Sequence, residues 1–286
     1  MIYLDYAANT PVDDRVLEKF NEVTKKFIAN SNSSHKLEQL AKKEIDKSSS
    51  IVAKYFNTKK ENIIYTSGSS ESNNLVIKGV AERYKKHGNH IIISCIEHSS
   101  VVAPVNYLAS LGYEVSIISL DKNGTINLKE LKETINDKTI LVSICSVDSE
   151  LGTIQPISEI ADIVSKYPNC IFHTDATQAI GKVDINYEGV DFITFAPHKF
   201  FGLNGFGALV NRNNIKINPL IHGGKSTTIY RSGTPILASV VALYKALELA
   251  YFHLDERYEY VSKLNGMILN KLKQYKDIHI NSTNNS

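Results

Sequence analysis

The chain has 286 residues, 43% hydrophobic and 22% charged, which is ordinary globular composition and enough length for one large domain or a large and a small one. Its 32 basic and 30 acidic side chains leave a formal net charge of +2, so no basic field argues for nucleic acid or a membrane surface as partner. Three cysteines without CxxC spacing argue against a disulfide scaffold or a zinc site, and set a reducing, cytoplasmic compartment as the expectation.

The first residues carry no basic region ahead of an apolar core, so no signal peptide is expected there, and no apolar run approaches membrane-spanning length. Residues 2–4 read as extended and 5–11 as turn-rich. Helical spacing of Val16, Phe20, Val23 and Phe27 predicts a helix over 12–27. A polar loop at 30–34 precedes a lysine-rich amphipathic helix over 37–56. Strand and helix then alternate: strands at 62–66, 90–94, 113–120, 139–147 and 170–174, with helices through 84 and over 101–111, 128–135 and 157–167. Asp121-Lys-Asn-Gly124 is a turn by composition. Further strands are expected at 191–195 and 206–210, then one long helical pattern over 235–275 with a kink at Gly266, and a strand-like scrap at 278–280 before a polar tail. This rhythm predicts an α/β fold, a mostly parallel sheet sandwiched by helices, with no internal repeat.

In such sheets ligands bind where strand ends meet helix starts. Four of those ends carry chemistry. Thr66-Ser-Gly-Ser-Ser-Glu-Ser72 puts small hydroxyl residues, among them Ser69 and Ser70, at a helix N-terminus, where free N–H groups and the dipole favour an anion. His98 follows the strand at 90–94. Asp175 ends the strand at 170–174 and needs a cation or hydrogen bonds there. His198 and Lys199 follow Phe195-Ala-Pro197 and precede a glycine-rich loop. A lysine at the end of a buried strand is costly without a partner or a covalent task. An anion site, an aromatic-stacking His, a buried Asp and a buried Lys match pyridoxal 5′-phosphate (PLP): phosphate at the helix start, ring nitrogen at the carboxylate, aldehyde at the amine.

Six segments then carry a resemblance: Leu4-Asp-Tyr-Ala-Ala-Asn-Thr-Pro11, Thr66 to Leu75, Glu97-His-Ser99, Asp175-Ala-Thr-Gln178, His198-Lys199 and Arg231-Ser-Gly-Thr-Pro235. In this order, over almost the whole chain, they resemble the cysteine desulfurases of the NifS/IscS type, which are fold-type I, class V aminotransferase-like PLP enzymes. The resemblance implies conversion of L-cysteine to L-alanine with sulfur passed to an enzyme cysteine, and onward to an acceptor protein of the kind that serves iron–sulfur cluster assembly. It implies Lys199 as the cofactor-bearing lysine, Asp175 as partner of the ring nitrogen, Gln178 at the ring hydroxyl and His98 stacked on the ring. Ser69, Ser70 and His198 would hold the phosphate. Thr234 would reach the cofactor of a neighbouring subunit, which implies a homodimer. Ser149 stands at a cofactor-contacting position that is Asn in the family, and Ala196 where the family has a phosphate-binding Ser. The loop at 30–33 and Gly223-Gly-Lys225 also depart from the pattern.

The expected organisation is a PLP-binding large domain over 1–255 and the start of a small domain over 256–286. The family's persulfide cysteine and carboxylate-gripping arginine would come after Ser286, so the expectation for this chain is cofactor binding without turnover. Cys95, Cys145 and Cys170 are expected to be buried, inert thiols. Gly224-Lys-Ser226 is no P-loop, since Pro219 stands where the first Gly is needed. A selenocysteine lyase, another class V aminotransferase, or a PLP-binding scaffold acting by association remain alternatives.

Overall fold

The structure is a computed structural model that describes residues 2–28, 36–224 and 226–280. The expected loop at 30–34, Lys225 and the polar tail lie outside the described residues.

The sheet is built from strands buried on both faces. β1 (Ile63–Thr66), β2 (His90–Ser94), β4 (Thr139–Ser143), β5 (Ile171–Asp175), β6 (Phe192–Phe195) and β7 (Gly207–Asn211) are buried at every position, while β3 (Glu114–Ile118) is half-exposed. Near-continuous apolar runs of this kind are what a helix-covered parallel sheet requires. Successive residues feed opposite layers: Ile63 and Tyr65 pack with one core and Ile64 with the other, and Ile92 is divided from Ile91 and Ile93 in the same way.

The seven strands run in the order β1-β7-β6-β5-β4-β2-β3. β2 through β6 pair in parallel, and β7 is antiparallel to both β6 and β1. β3 is the edge, which accounts for its exposure. Helices α3 (Ser69–Tyr84) and α4 (Ser99–Ser110) cover one face; α5 (Leu128–Thr134) and α6 (Ile157–Val164) lie with the other core. α1 (Asp14–Lys26) starts where the Asp13 side chain accepts the Arg15 N–H at 3.0 Å, an N-cap bond. Its Val23 packs with Ala238 and Val241 of α7 (Leu237–Phe252). α2 (Lys36–Tyr55) lies along α7 as well, with Tyr55 stacked on Tyr251.

Two expectations are corrected here. The pattern over 235–275 is two helices, α7 and α8 (Leu254–Leu272), bent by 63° at His253, and α8 runs straight through Gly266. The break falls where burial ends: α7 inserts Val240, Leu243 and Leu247 into the core, whereas α8 has no buried residue. Tyr260, Val261, Met267 and Ile268 of α8 are exposed. Residues 278–280 form no strand and pair with none of the described strands. Among the described residues no single helix is long and apolar enough to cross a membrane.

Candidate active site

Because β7 alone runs against the others, one edge of the sheet collects the carboxyl ends of six strands together with the first residue of β7. β1 and β7 pair there as Thr66 opposite Gly207. A Cβ on Gly207 would lie 2.6 Å from the Gly68 backbone, so glycine lets the β1–α3 turn close against β7. The turn then delivers Ser69 and Ser70 as the first residues of α3, where N–H groups have no intrahelical partner. Glu71 braces it, accepting the Ser67 N–H at 2.7 Å and Arg231 Nε at 2.9 Å. Burial alone would raise the Glu71 pKa; the Arg231 and Ser67 bonds outweigh it and hold it low.

Asp175 closes β5. Its carboxylate accepts Asn73 Nδ2 at 2.7 Å and the Thr177 N–H at 2.9 Å. Asn73 Nδ2 also donates to Ser100 Oγ at 2.9 Å, and Ser100 Oγ lies 2.8 Å from His98 Nδ1. Since the Ser100 N–H donates to that same Nδ1 at 3.1 Å, Nδ1 is an acceptor and the neutral ring carries its proton on Nε2. One relay thus joins Asp175, through α3 and α4, to His98. In the middle of β5, His173 is held between Ser143 Oγ and Thr194 Oγ1 at 2.8 and 3.0 Å, and burial lowers its pKa to about 4, so it is a neutral cross-strand tie.

Lys199 stands on a 3₁₀ turn (Pro197–Lys199) after β6 and is half-buried rather than buried in the strand end. Its Nζ donates to the carbonyls of Ala7 and Ala8 at 2.8 and 2.7 Å. Gln178 Nε2 donates to the same Ala7 carbonyl at 2.9 Å. The N-terminal segment is strapped over this turn: Thr10 N and Oγ1 both donate to the His198 carbonyl, at 3.0 and 2.9 Å. Burial lowers the Lys199 pKa, against the charges of Asp5 and Asp175. The His198 pKa falls too, through burial and then the charges of Lys199 and Lys182.

Ser69, Ser70, His98, Ser149, Asp175, Gln178, His198 and Lys199 all line one cavity of about 400 Å³, within the size range of small-molecule sites. Thr234 is exposed and does not line it. Thr177, also on the lining, has a buried Oγ1 without a hydrogen-bond partner among the described residues, as has the Oδ1 of Asn73. Free helix N–H groups, a carboxylate, an amine and unpaired buried acceptors fit a phosphorylated aromatic aldehyde.

Several groups at the site escaped the sequence reading. Asn73 and Glu97 sat inside quoted motifs without a role. Glu97, three residues beyond β2, is buried; burial pushes its pKa up to about 8. Its Oε1 accepts the Ser94 hydroxyl and, at 2.8 Å, the Cys145 N–H. An acidic residue following the apolar stretch that runs from β2 through Cys95 and Ile96 is the available signal. The cysteines also need correction. Cys95 is exposed, while Cys145 and Cys170 are buried. Cys145 lines the cavity, with its thiol pKa pushed up by burial and the nearby Glu97. Cys170 precedes β5, some 16 Å of strand from Asp175, at the opposite edge of the sheet from the site.

These elements define a PLP-binding enzyme on a fold-type I scaffold, and the comparisons agree: residues 2–286 match the aminotransferase class-V family, to which the chain belongs. Within that family it groups with the cysteine desulfurases. It is 38% identical to the cysteine desulfurase IscS of Dictyoglomus turgidum over 98% of this chain and 72% of the relative. It is also 38% identical to the IscS of Clostridium botulinum strain Hall over 94% of this chain and 68% of that one. Among solved structures, a NifS-like protein superposes with a TM-score of 0.94 at 35% identity, covering 99% of this chain and 78% of that one. SspA in complex with cysteine superposes with a TM-score of 0.82 at 36% identity, covering 87% of this chain and 72% of that one.

Proposed function

We propose that the cavity at the carboxyl edge of the sheet holds PLP on Lys199 and acts on L-cysteine, releasing L-alanine and passing the sulfur to a cysteine thiol. The observation that carries this reading is the convergence of the α3 N-terminus, Asp175, His98 and Lys199 on one cavity. When bound, PLP supplies an electron sink for cleavage of bonds at the substrate α-carbon. Asp175 is the counter-charge for the ring nitrogen, its carboxylate held in place by the Asn73 and Thr177 donors. Ser69, Ser70, the first N–H groups of α3 and His198 bind the phosphate. Gln178 turns an amide N–H to the ring oxygen, Ser149 borders the ring, and His98 covers its face. Lys199 moves the α-proton, a task suited to an amine that burial has made less basic.

The sulfur acceptor has to travel to the substrate. Cys145 and Cys170 are buried and anchored by the sheet, and Cys95, though exposed, does not line the cavity, which leaves none of the three suited to that role. Thr234 serves the cofactor of a second copy in a homodimer; in support, it is exposed and off its own chain's cavity. α8 begins a second structural unit, a reading supported by the 63° bend and by the lack of any buried residue in it. A cytoplasmic location and a protein acceptor for the sulfur complete the proposal.

Borohydride reduction of the PLP-loaded protein followed by peptide mapping tests the site. A pyridoxyl label on Lys199 is expected, and a label on any other lysine overturns the assignment. Solvent exchange of the α-proton, followed by proton NMR with cysteine and with selenocysteine, tests the substrate without needing a sulfur acceptor; exchange with neither would overturn the reading.

A further inference from the structure

Lys182 has no role in the site as described so far. It follows Gln178 by four residues, on the turn after β5 that is wound by bonds from Ala179 N and Ile180 N to the Ala176 carbonyl and from Lys182 N to the Ala179 carbonyl. Gly181 takes φ +73° at the tightest point, where a Cβ would lie 2.6 Å from that of Ala250 on α7. The turn folds Lys182 back under Gln178, and Lys182 Nζ donates to Gln178 Oε1 at 2.5 Å. Gln178 Nε2 continues to the Ala7 carbonyl, which also receives Lys199 Nζ. Two lysines are thereby joined through one amide and one carbonyl.

This is an expensive way to fill space. Lys182 is mostly buried and forms no ion pair among the described residues, and it lies close enough to Lys199 to feel its charge. Burial, and then that neighbouring charge, lower its pKa to about 8. A methionine would occupy the same volume without the desolvation cost. What an ammonium adds is direction. It can only donate, so Gln178 must offer it Oε1 and turn its N–H groups the other way. Ala7 takes one of them, and the second is available to a ligand.

We propose that Lys182 is a positioning residue for the cofactor, locking the Gln178 amide with its donors toward the cavity. This rests on the reading above that Lys199 carries PLP and Gln178 meets its ring oxygen. His198, on the adjoining turn, feels the charges of both lysines.

The test is Lys182→Met, alone and combined with Gln178→Leu, with two readouts. The first is the thermal midpoint of the apo-protein. The second is PLP affinity from quenching of tyrosine fluorescence. Lys182→Met should be more stable than the parent yet bind PLP roughly tenfold more weakly. On top of Gln178→Leu it should change PLP affinity by less than about twofold, since coupled residues do not add. Unchanged affinity in the single variant, or a full tenfold loss on top of Gln178→Leu, would overturn the proposal. So would a variant that is destabilised or fails to fold, because that assigns Lys182 to the core. Borohydride mapping of the parent separates the two readings: if the label misses Lys199, the site assignment itself has failed, whatever Lys182→Met does.

Discussion

Glu97→Gln offers a direct test of the electrostatics beneath the site. Glu97 is buried three residues beyond β2, with Oε1 taken by Ser94 and Cys145 and Oε2 without a partner among the described residues. Burial is the largest cause of its raised pKa; the Ser94 and Cys145 bonds act against it and the charge of Asp175 adds to it. The folded protein thus holds a proton here up to about pH 8, whereas the unfolded chain releases it near the ordinary value of 4.5. Where the folded state binds the extra proton, stability falls as pH rises. The contribution is fully present below pH 4.5 and lost as pH climbs through about 8. At 1.36 kcal/mol per unit the loss is about 3 kcal/mol by pH 7 and about 5 kcal/mol above pH 8, a large share of a typical domain's stability. Glutamine keeps Oε1 for both donors and does not titrate. Urea unfolding of apo-protein at intervals from pH 4 to 9 should therefore give parent and variant nearly equal stability at pH 4 and a growing advantage to Glu97→Gln above pH 5. Working on the difference cancels the other carboxylates. A difference that stays constant with pH, or that shrinks as pH rises, would refute the reasoning.

Three further outcomes are expected. Asp175→Ala should lower solvent exchange of the substrate α-proton by two to three orders of magnitude, as loss of a preorganised charge partner does elsewhere; near-normal exchange by proton NMR would remove its assigned role. Gly207→Ala drives a methyl into the Gly68 backbone at 2.6 Å, so the α3 start must shift and PLP affinity, read by fluorescence titration, should fall roughly tenfold, as overpacking of 1–3 kcal/mol implies; unchanged affinity would mean the turn is not part of the phosphate site. Sedimentation velocity at micromolar protein with PLP should show a dimer, and a monomer holding PLP at full occupancy would contradict a site completed by Thr234 of a second copy.

The sequence by itself determined the layers and most of the site's chemistry. Alternating apolar runs and amphipathic stretches announce a helix-covered parallel sheet, because continuous burial and 3.6-residue spacing are local properties. Hydroxyl residues at a helix start, an aspartate ending one strand and a lysine following another mark one edge of that sheet, since parallel strands must all point their carboxyl ends the same way. What only the tertiary structure decided is which groups face one another. The reversal of β7 brings Gly207 against Gly68, and a contact between residues so far apart in the chain leaves no trace in either local pattern. The bend at His253 is set by where the core ends, although Gly266 is the residue with the weaker helix propensity. Cys95 and Cys145 both follow apolar strands, but one strand end is open to solvent and the other is closed over the cavity. Glu97, Asn73 and Lys182 read as ordinary polar residues of a strand end, a helix and a turn. Their roles come from burial and from partners such as Cys145, Asp175 and, through Gln178, Lys199. Desolvation depends on everything packed around a group, so a polar residue's cost and its use are settled only once the neighbouring elements have arrived.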